Sequence, residues 1–488
     1  MATTRKRATK KTAPRTRAKS RTRRERRSKA PIDRGAHALE KASQLVAGLE
    51  ERAVTHAKIG GFDVDGVLRG KYVSLDKLRS ALAKGFGFCD VIFGWDVADV
   101  LYDNGRITGP HTGYPDAHAV LDPSTLRLSP WEPGIAAMLC DFRDAQDRPH
   151  PACPRSLLRR VIERARDLGY EPRFSAEFEF FLFQETRDTL QAKGFRDLSP
   201  LDPGMFGYSW VRSGQDSALM HDILHSMREF DIEIEGLHTE TGPGVYEAAI
   251  RYDDALRAAD QAALFKTSMK QIAARHGLSV TFMAKWNSEL PGCSGHVHQS
   301  LWRGDRNVFY DPKRPRGMSR VMHRYIGGQM ALMRELTAMV SPTVNSYKRY
   351  VPGLWAPLVP SWGVENRACA LRVIGLESSS ALRVEHRQCA ADINPYLAMA
   401  AALGSGLWGI EHDAQLPPES VGDPGTEGPE RLPVTLGEAT RLLASSKAAV
   451  ELFGAEFVDH YVRTRDWEER AYRTAVTDWE LKRYFEAI

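Results

Sequence analysis

A chain of 488 residues and 54.6 kDa, 42% hydrophobic and 26% charged, is long enough for two or three domains with a large core, which excludes a protein disordered throughout. No run reaches the roughly eighteen apolar residues that a membrane span needs; the nearest, Tyr396 to Ile410, is Ala-rich and broken by glycines, so a membrane protein is not expected. The net charge of +5 divides unevenly: residues 1–34 hold fifteen Lys or Arg against Glu25 and Asp33, a charge of +13, which leaves −8 for the body.

That basic tail, "MATTRKRATKKTAPRTRAKSRTRRERRSKAPIDR", lacks hydrophobic periodicity and is expected to be disordered. As a polycation it suits a weak, salt-sensitive contact with nucleic acid or another polyanion; a solubilising extension or a start assigned too early explains it equally well. No apolar signal core follows Arg23-Arg24, which argues against export and leaves an organellar presequence open. The stretch "GAHALEKASQLVAGLEERAV" reads as an amphipathic helix, and Asp65-Gly66 between alternating apolar runs signals a hairpin. Further short strands reach "MLCDFRD", so residues 35–148 are expected to form a small sheet-rich domain. Pro149, Pro151 and Pro154 then mark a boundary, with Pro154 placed where a helix start tolerates it.

Residues 149–488 read as one α+β domain. Its helices are "DSALMHDILHSMREFD", "DDALRAADQAALFKTSMKQIAARHG" and "MSRVMHRYIGGQMALMRELTAMV", with two closing helices after a Pro/Gly/Glu loop from Asp413 to Pro433. The six cysteines are scattered without a CxxC pair, as in buried reduced thiols of a cytoplasmic protein.

The strands carry the unusual chemistry. In "RFSAEFEFFLF" side chains alternate, so Glu177 and Glu179 share one face while Phe178 and Phe180 take the other. Two carboxylates on a half-buried face repel, and one takes up a proton unless a cation compensates. "GHVHQS" puts His296 and His298 on one face, and "LRVEHRQ" does so for Arg383, Glu385 and Arg387. "IEIEGLHTETGPGVYEAAI" adds Glu233 and Glu235 in alternation, then Glu240 and Glu247 on either side of a glycine turn. A wet strand face accounts for any one such pair. Together, carboxylates with one or two imidazoles suit a hard divalent cation such as Mg2+ or Mn2+, and nearby arginines suit carboxylate and phosphate recognition. Divalent metal, phosphate and carboxylate point to phosphoryl transfer from a nucleotide.

Six ordered motifs, "SAEFEFFLF", "HTETGPGVYE", "GCSGHVHQSL", "NSYKRYVPG", "ENRACALRV" and "LRVEHRQCAADINPYLAMAAAL", resemble the glutamine synthetase family over residues 50–488. The resemblance implies an α+β fold: a small N-terminal β-grasp domain, then a catalytic domain with a curved antiparallel sheet and surrounding helices. It also implies stacked-ring homo-oligomers with active sites between subunits. By position, Glu179, Glu240 and Glu247 match the ligands of a first metal, and Glu177, His296 and Glu385 those of a second. Glu235, His298, Ser300 and Arg383 fall where the family contacts ATP; Arg349 and Arg387 match the arginines that grip glutamate; Arg367 and Arg372 match those facing the transferred phosphate. Asp96, in "FGWDVAD", matches an aspartate that a neighbouring subunit lends to the amine site.

The implied reaction joins the γ-carboxylate of glutamate to an amine through a γ-glutamyl phosphate. Departures bear on the amine: where ammonia-using members carry a flap glutamate six residues after the arginine of "NSYKR", this chain has Trp355, which loses an anion and offers an apolar or cation–π surface. Val245 and Pro291 replace a usual Gln and Asn, and the tyrosine that many bacterial members adenylylate is missing from "DAQLPPESV". The resemblance therefore favours members that ligate glutamate to polyamines or monoamines. Glutamine synthesis from ammonia remains the alternative within the family, and a non-catalytic structural or scaffold protein the alternative outside it.

Overall fold

The structure is a computed structural model that describes residues 34–376, 378–425 and 431–488. The basic tail up to residue 33, with the disorder and polyanion contact expected of it, lies outside the described residues. Helix α1 (Arg34–Glu50) leads into a sheet built from β1 (His56–Phe62), β2 (Leu68–Ser74), β3 (Phe86–Cys89), β4 (Asp116–Leu121), β5 (Arg127–Leu128) and β6 (Ile135–Arg143), with α2 (Leu75–Lys84) following the first hairpin. The order is β2-β1-β6-β4-β3, β5 pairing with β6; β1 and β6 run parallel at the centre and the other pairs are antiparallel. The hairpin expected at Asp65-Gly66 is present, with Gly66 at φ 78°, a left-handed conformation that glycine adopts without strain.

Helix α3 (Pro154–Asp167) starts at the third boundary proline. Its Arg155 is 2% exposed and ties the two halves together: it donates to Asp141 on β6 at 2.9 Å, to Asp122 at 2.8 Å, and twice to Asp260 at 2.8 Å. Asp260 lies beyond the boundary and also accepts from the Tyr396 hydroxyl at 2.6 Å.

The second sheet is built on the long strand β7 (Glu171–Phe183). Further along come β8 (Ile234–Thr239), β9 (Val245–Ile250), β10 (Asp253–Asp254), β11 (Ser279–Thr281), β12 (Gly295–Arg303), β13 (Arg306–Asn307), β14 (Trp362–Val364), β15 (Leu371–Ile374) and β16 (Arg383–His386). They run β14-β15-β16-β12-β7-β9-β8, with only β14 and β15 parallel; β10 and β11 pair with β7, and β13 with β12. Between the strands stand α4 (Arg187–Ala192), α5 (Trp210–Gln215), α6 (Ser217–Glu229), α7 (Ala255–Arg275), α8 (Arg320–Leu332), α9 (Thr337–Val340) and α10 (Pro395–Glu411).

The Ala-rich run Tyr396 to Ile410 is α10, a core helix buried along most of its length. Its glycines allow close packing: a Cβ on Gly409 would lie 2.6 Å from the Gly328 Cα of α8, and one on Gly406 would meet the Tyr325 ring. Among the described residues no helix is long and apolar enough to cross a membrane. All six cysteines are free, and five are buried.

The chain closes on four helices rather than the two expected: α11 (Leu436–Ser445), α12 (Lys447–Phe453), α13 (Ala455–Thr474) and α14 (Asp478–Tyr484). Ser446 ends α11 and caps α12 through Ala449 N, Gly454 breaks the path at φ 82°, and a Thr477/Glu480 capping box restarts it. The helix expected over 318–340 is likewise divided, by a turn at residues 333–336.

Candidate active site

Strand register assembles the site. On β7, Phe178 and Phe180 are fully buried among Phe265 and Phe282, which forces Glu177 and Glu179 onto the opposite face. His296 on β12 lies opposite Glu177, Glu247 on β9 opposite Glu179, and His238 on β8 opposite Glu247. On the other side Glu385 of β16 lies opposite His298 of β12 and Arg372 of β15. Residues far apart in sequence thus become neighbours across ladder rungs.

Two groups of donor atoms result, each within 4.8 Å internally: Glu177, His296 and Glu385; and His238, Glu240 and Glu247. The first is the expected second-metal set. The other contains Glu240 and Glu247 of the expected first-metal set, but takes His238 where sequence reasoning put Glu179. The Glu179 Oε2 accepts from the Ser294 backbone N–H at 2.6 Å.

The electrostatics follow from burial and neighbours. Burial pushes the Glu177 carboxyl up, but hydrogen bonds from His296 (3.1 Å) and the nearby His298 outweigh it and hold the group well below the usual range. For Glu385, burial is likewise overcome by the charges of His296, His298 and Arg387, which hold it at about 2. Glu179 behaves oppositely: burial, reinforced by the Glu240 charge, lifts it to about 7 against the Ser294 N–H. Burial also raises Glu247, aided by the charges of Glu177 and Glu179, while His238 partly compensates. Burial lowers His238, yet the Glu247 contact at 3.1 Å carries it up to about 9. The raised Glu179 and Glu247 carboxyls mark the part of the face that lacks positive charge, and the buried His296 Nε2 has no hydrogen-bond partner among the described residues. Carboxylates with one imidazole per group fit a hard divalent cation at each.

Beside the first group, Glu235, His298, Ser300 and Arg383 line one cavity of 390 Å³, which brings all four expected nucleotide residues together. Among the wall residues that sequence reasoning missed are Trp302, whose indole N–H donates to the Ser300 hydroxyl at 2.9 Å, and Arg173, stacked on Trp302 with its guanidinium carbon 4.2 Å from the ring centroid. Trp302 lies two residues after Ser300, a same-face spacing that could have found it. Glu233 does not join Glu235: the ladder slips between Ile234 and Gly236, and Glu233 lines a different recess beside Arg228.

Three arginines border the carboxylates. Arg349 is 3% exposed and donates to the carbonyls of Gln388 (3.0 Å) and Arg387 (3.2 Å) and to the Ser294 hydroxyl (3.2 Å). Arg387 pairs with Glu385 and donates to the Arg367 carbonyl at 3.0 Å. Arg372 bridges Glu385 (3.2 Å) and Glu365 (2.5 Å). Arg367 itself is exposed, and its guanidinium has no hydrogen bond or ion pair among the described residues. Trp355 is 67% exposed at φ 60°, in the loop between Arg349 and β14. Tyr208, also missed, stacks on His238 with ring centroids 4.5 Å apart.

Asp96 stands apart. It belongs to the N-terminal half, where Oδ1 accepts from Ala98 N (2.8 Å) and Val100 N (3.0 Å) and Oδ2 from the Trp467 indole (3.0 Å). No hydrogen bond or ion pair joins it to the carboxylates among the described residues.

The catalytic-domain model of glutamine synthetase matches residues 151–484. The Type-1 glutamine synthetase 2 of Dictyostelium discoideum is 46% identical over 438 residues, 88% of this chain and 84% of that protein. The glutamate–isopropylamine ligase of a Pseudomonas species is 40% identical over 445 residues, 90% of this chain and 97% of that one. The gamma-glutamylethanolamide synthetase GlnA4 of Streptomyces coelicolor is 38% identical over 428 residues, 87% and 91% of the two chains. A solved GmaS–ADP complex superposes with a TM-score of 0.79 at 29% identity, covering 90% of this chain and 99% of that one.

Proposed function

The chain belongs to the glutamine synthetase family, and from that premise we propose that it is an ATP-dependent ligase joining the γ-carboxylate of glutamate to an organic amine. The observation that carries this reading is the pair of three-donor groups on one sheet face, bordered by Arg349, Arg372 and Arg387. Trp355, in place of a flap carboxylate, favours an organic amine over ammonium, as do the names of two relatives.

ATP occupies the cavity lined by Glu235, His298, Ser300 and Arg383. Glu177, His296 and Glu385 hold one divalent ion, Mg2+ or Mn2+, and Glu179, Glu240 and Glu247 another. Bound ions supply charge neutralisation and Lewis-acid polarisation of phosphoryl oxygens. Arg349 and Arg387 grip the glutamate carboxylate. The glutamate γ-carboxylate oxygen attacks the γ-phosphorus of ATP, the bond to the ADP oxygen breaks, and Arg367 and Arg372 stabilise the charge spread over the phosphoryl oxygens. The amine nitrogen then adds to the acyl carbon, loses a proton, and phosphate leaves with the electron pair of the broken C–O bond. The product is a γ-glutamyl amide, formed at the expense of ATP.

Trp355 stacks on the alkyl or alkylammonium part of the incoming amine. Asp96 serves the amine site of a neighbouring subunit, in a ring-shaped homo-oligomer whose sites lie between copies. The reduced thiols suit a cytoplasmic enzyme, and the basic tail provides a salt-sensitive polyanion contact separate from catalysis.

The test is phosphate release with ATP, Mg2+ and glutamate, comparing ammonium with putrescine, spermidine, ethanolamine, isopropylamine and methylamine, with products identified by mass. Turnover with an organic amine and little with ammonium is expected. Turnover mainly with ammonium returns the chain to glutamine synthesis, the reading that its 46% identity to a named glutamine synthetase favours; none with any amine overturns both.

A further inference from the structure

We propose that the cavity between the N-terminal sheet and α7 is an effector site for a small carboxylate with an apolar body, and that its occupancy is felt at the loop holding Arg349. The site is separate from the carboxylate face and from the cavity of Ser300 and Arg383, and it does not depend on the ligase reading.

The cavity measures 320 Å³, at the lower end of the size that takes a small molecule. Small residues on one sheet face make room for it. Gly60 of β1 lies opposite Gly70 of β2 and Leu139 of β6, and Lys58, two residues earlier on the same face, lies opposite Tyr72 and Ala137. Two glycines and an alanine leave this floor flat. The facing wall is one side of α7, where Leu264, Thr267, Ser268 and Gln271 recur at helical spacing. Phe230 and Trp131, their ring centroids 4.8 Å apart, add aromatic surface.

The lining selects the ligand. No carboxylate lines the cavity among the described residues, whereas Arg127, Lys58 and Lys71 do. The Arg127 side chain is 2% exposed and donates to the carbonyls of Phe230 (3.1 Å) and Thr125 (2.8 Å); Asp231, itself half exposed, stands 3.6 Å away. Carbonyls orient a guanidinium without neutralising it. Burial pulls the Arg127 pKa below its ordinary value against the charges of Asp231 and Asp260. A ligand carboxylate supplies the missing countercharge while its apolar body covers the floor. Ser129 and Ser268 are buried, and their hydroxyls make no hydrogen bond among the described residues. The Gln271 side-chain oxygen accepts from the Trp131 indole at 3.1 Å, which leaves its NH2 group for a ligand.

Helix α7 carries the effect to the site. Thr267 follows Lys266, whose ammonium donates to the carbonyls of Ala391 (2.8 Å) and Ile393 (2.6 Å). The same loop holds Arg349 through the carbonyls of Arg387 and Gln388. A ligand lodged between sheet and helix shifts the position of that clamp.

The experiment follows para-fluorophenylacetate on the full-length protein by fluorine NMR, beside its neutral amide and acetate, with amide hydrogen exchange read across residues 387–393. Binding that persists with saturating ATP, Mg2+ and glutamate is expected. The amide binds about tenfold or more weakly, because it lacks the charge-assisted bond, and acetate does not compete. Ala137→Phe fills the floor and abolishes binding; Arg127→Met reduces the carboxylate to the affinity of the amide. Exchange at 387–393 changes on binding to wild type and stays unchanged in Ala137→Phe. If Arg127→Met fails to fold, the acid-to-amide ratio in wild type reads the same charge. Absence of binding, displacement by ATP or glutamate, equal affinity for acid and amide, full binding to Ala137→Phe, or unaltered exchange at 387–393 in wild type each overturns the inference. None of these readouts involves amine ligation, so this inference and the ligase reading fail separately.

Discussion

At the scale of single residues, Glu179 combines a cost to the fold with its proposed use in the site. Without metal its carboxyl sits at about 7, raised by burial and by Glu240 from an ordinary value of 4.5. Between those two values the unfolded chain releases a proton that the folded chain keeps, so stability falls as pH rises, by about 3 kcal/mol once pH exceeds 7. Glu179→Gln therefore abolishes turnover, yet in EDTA it unfolds at higher urea than wild type at pH 8 and at nearly the same urea at pH 4.5; added Mn2+ stabilises wild type more than the variant. Urea melts at the two pH values check this. Trp355→Glu restores an anion to the flap and raises the ratio of ammonium to organic-amine turnover, measured as relative kcat/KM; an unmoved ratio removes Trp355 from the amine pocket. The i, i+2 carboxylates and imidazoles were legible because strand alternation is a local rule. His238 was missed although it stands two residues before Glu240, the same spacing; its contact with Glu247 is set by the hairpin register, which no local pattern shows.

At the scale of elements, the loop from Arg387 to Ile393 organises the side of the site proposed for glutamate. Its carbonyls hold Arg349, and Lys266 of α7 clamps it by donating to the carbonyls of Ala391 (2.8 Å) and Ile393 (2.6 Å). Asp392 accepts from the Thr343 (2.7 Å) and Ser346 (2.8 Å) hydroxyls, fastening the short helix Ser346–Arg349 on which Arg349 stands. Asp392→Asn weakens charge-assisted bonds behind Arg349, so KM for glutamate rises roughly tenfold while KM for ATP stays, which initial-rate kinetics separates. The motif "CAADINPYL" was recognisable in sequence, but the job of its aspartate was not, because Thr343 and Ser346 reach it from another segment.

At the scale of the whole molecule, the segments before and after the three prolines are fastened by one buried guanidinium shared among three aspartates. Arg155→Met leaves Asp122, Asp141 and Asp260 without that partner and destabilises the fold by about 3–5 kcal/mol, measured by urea unfolding. The loop carrying Asp96 is pinned to α13 by the Trp467 indole and by Arg470 on Asp103. If that loop completes a neighbour's site, mixing inactive Asp96→Asn and Glu179→Gln subunits restores activity through hybrid sites; no recovery after subunit exchange removes Asp96 from the site. Sequence by itself determined the α+β class, the kinds of side chain at the candidate site and the faces they share, because composition and period-two alternation act over a few residues. Only the tertiary structure decided which donors meet, that His238 joins Glu240 and Glu247, that Trp302 and Arg173 wall the cavity of Ser300 and Arg383, and that Asp96 stands outside its own chain's carboxylates. Those outcomes depend on strand register and on packing between distant segments, which no local pattern encodes.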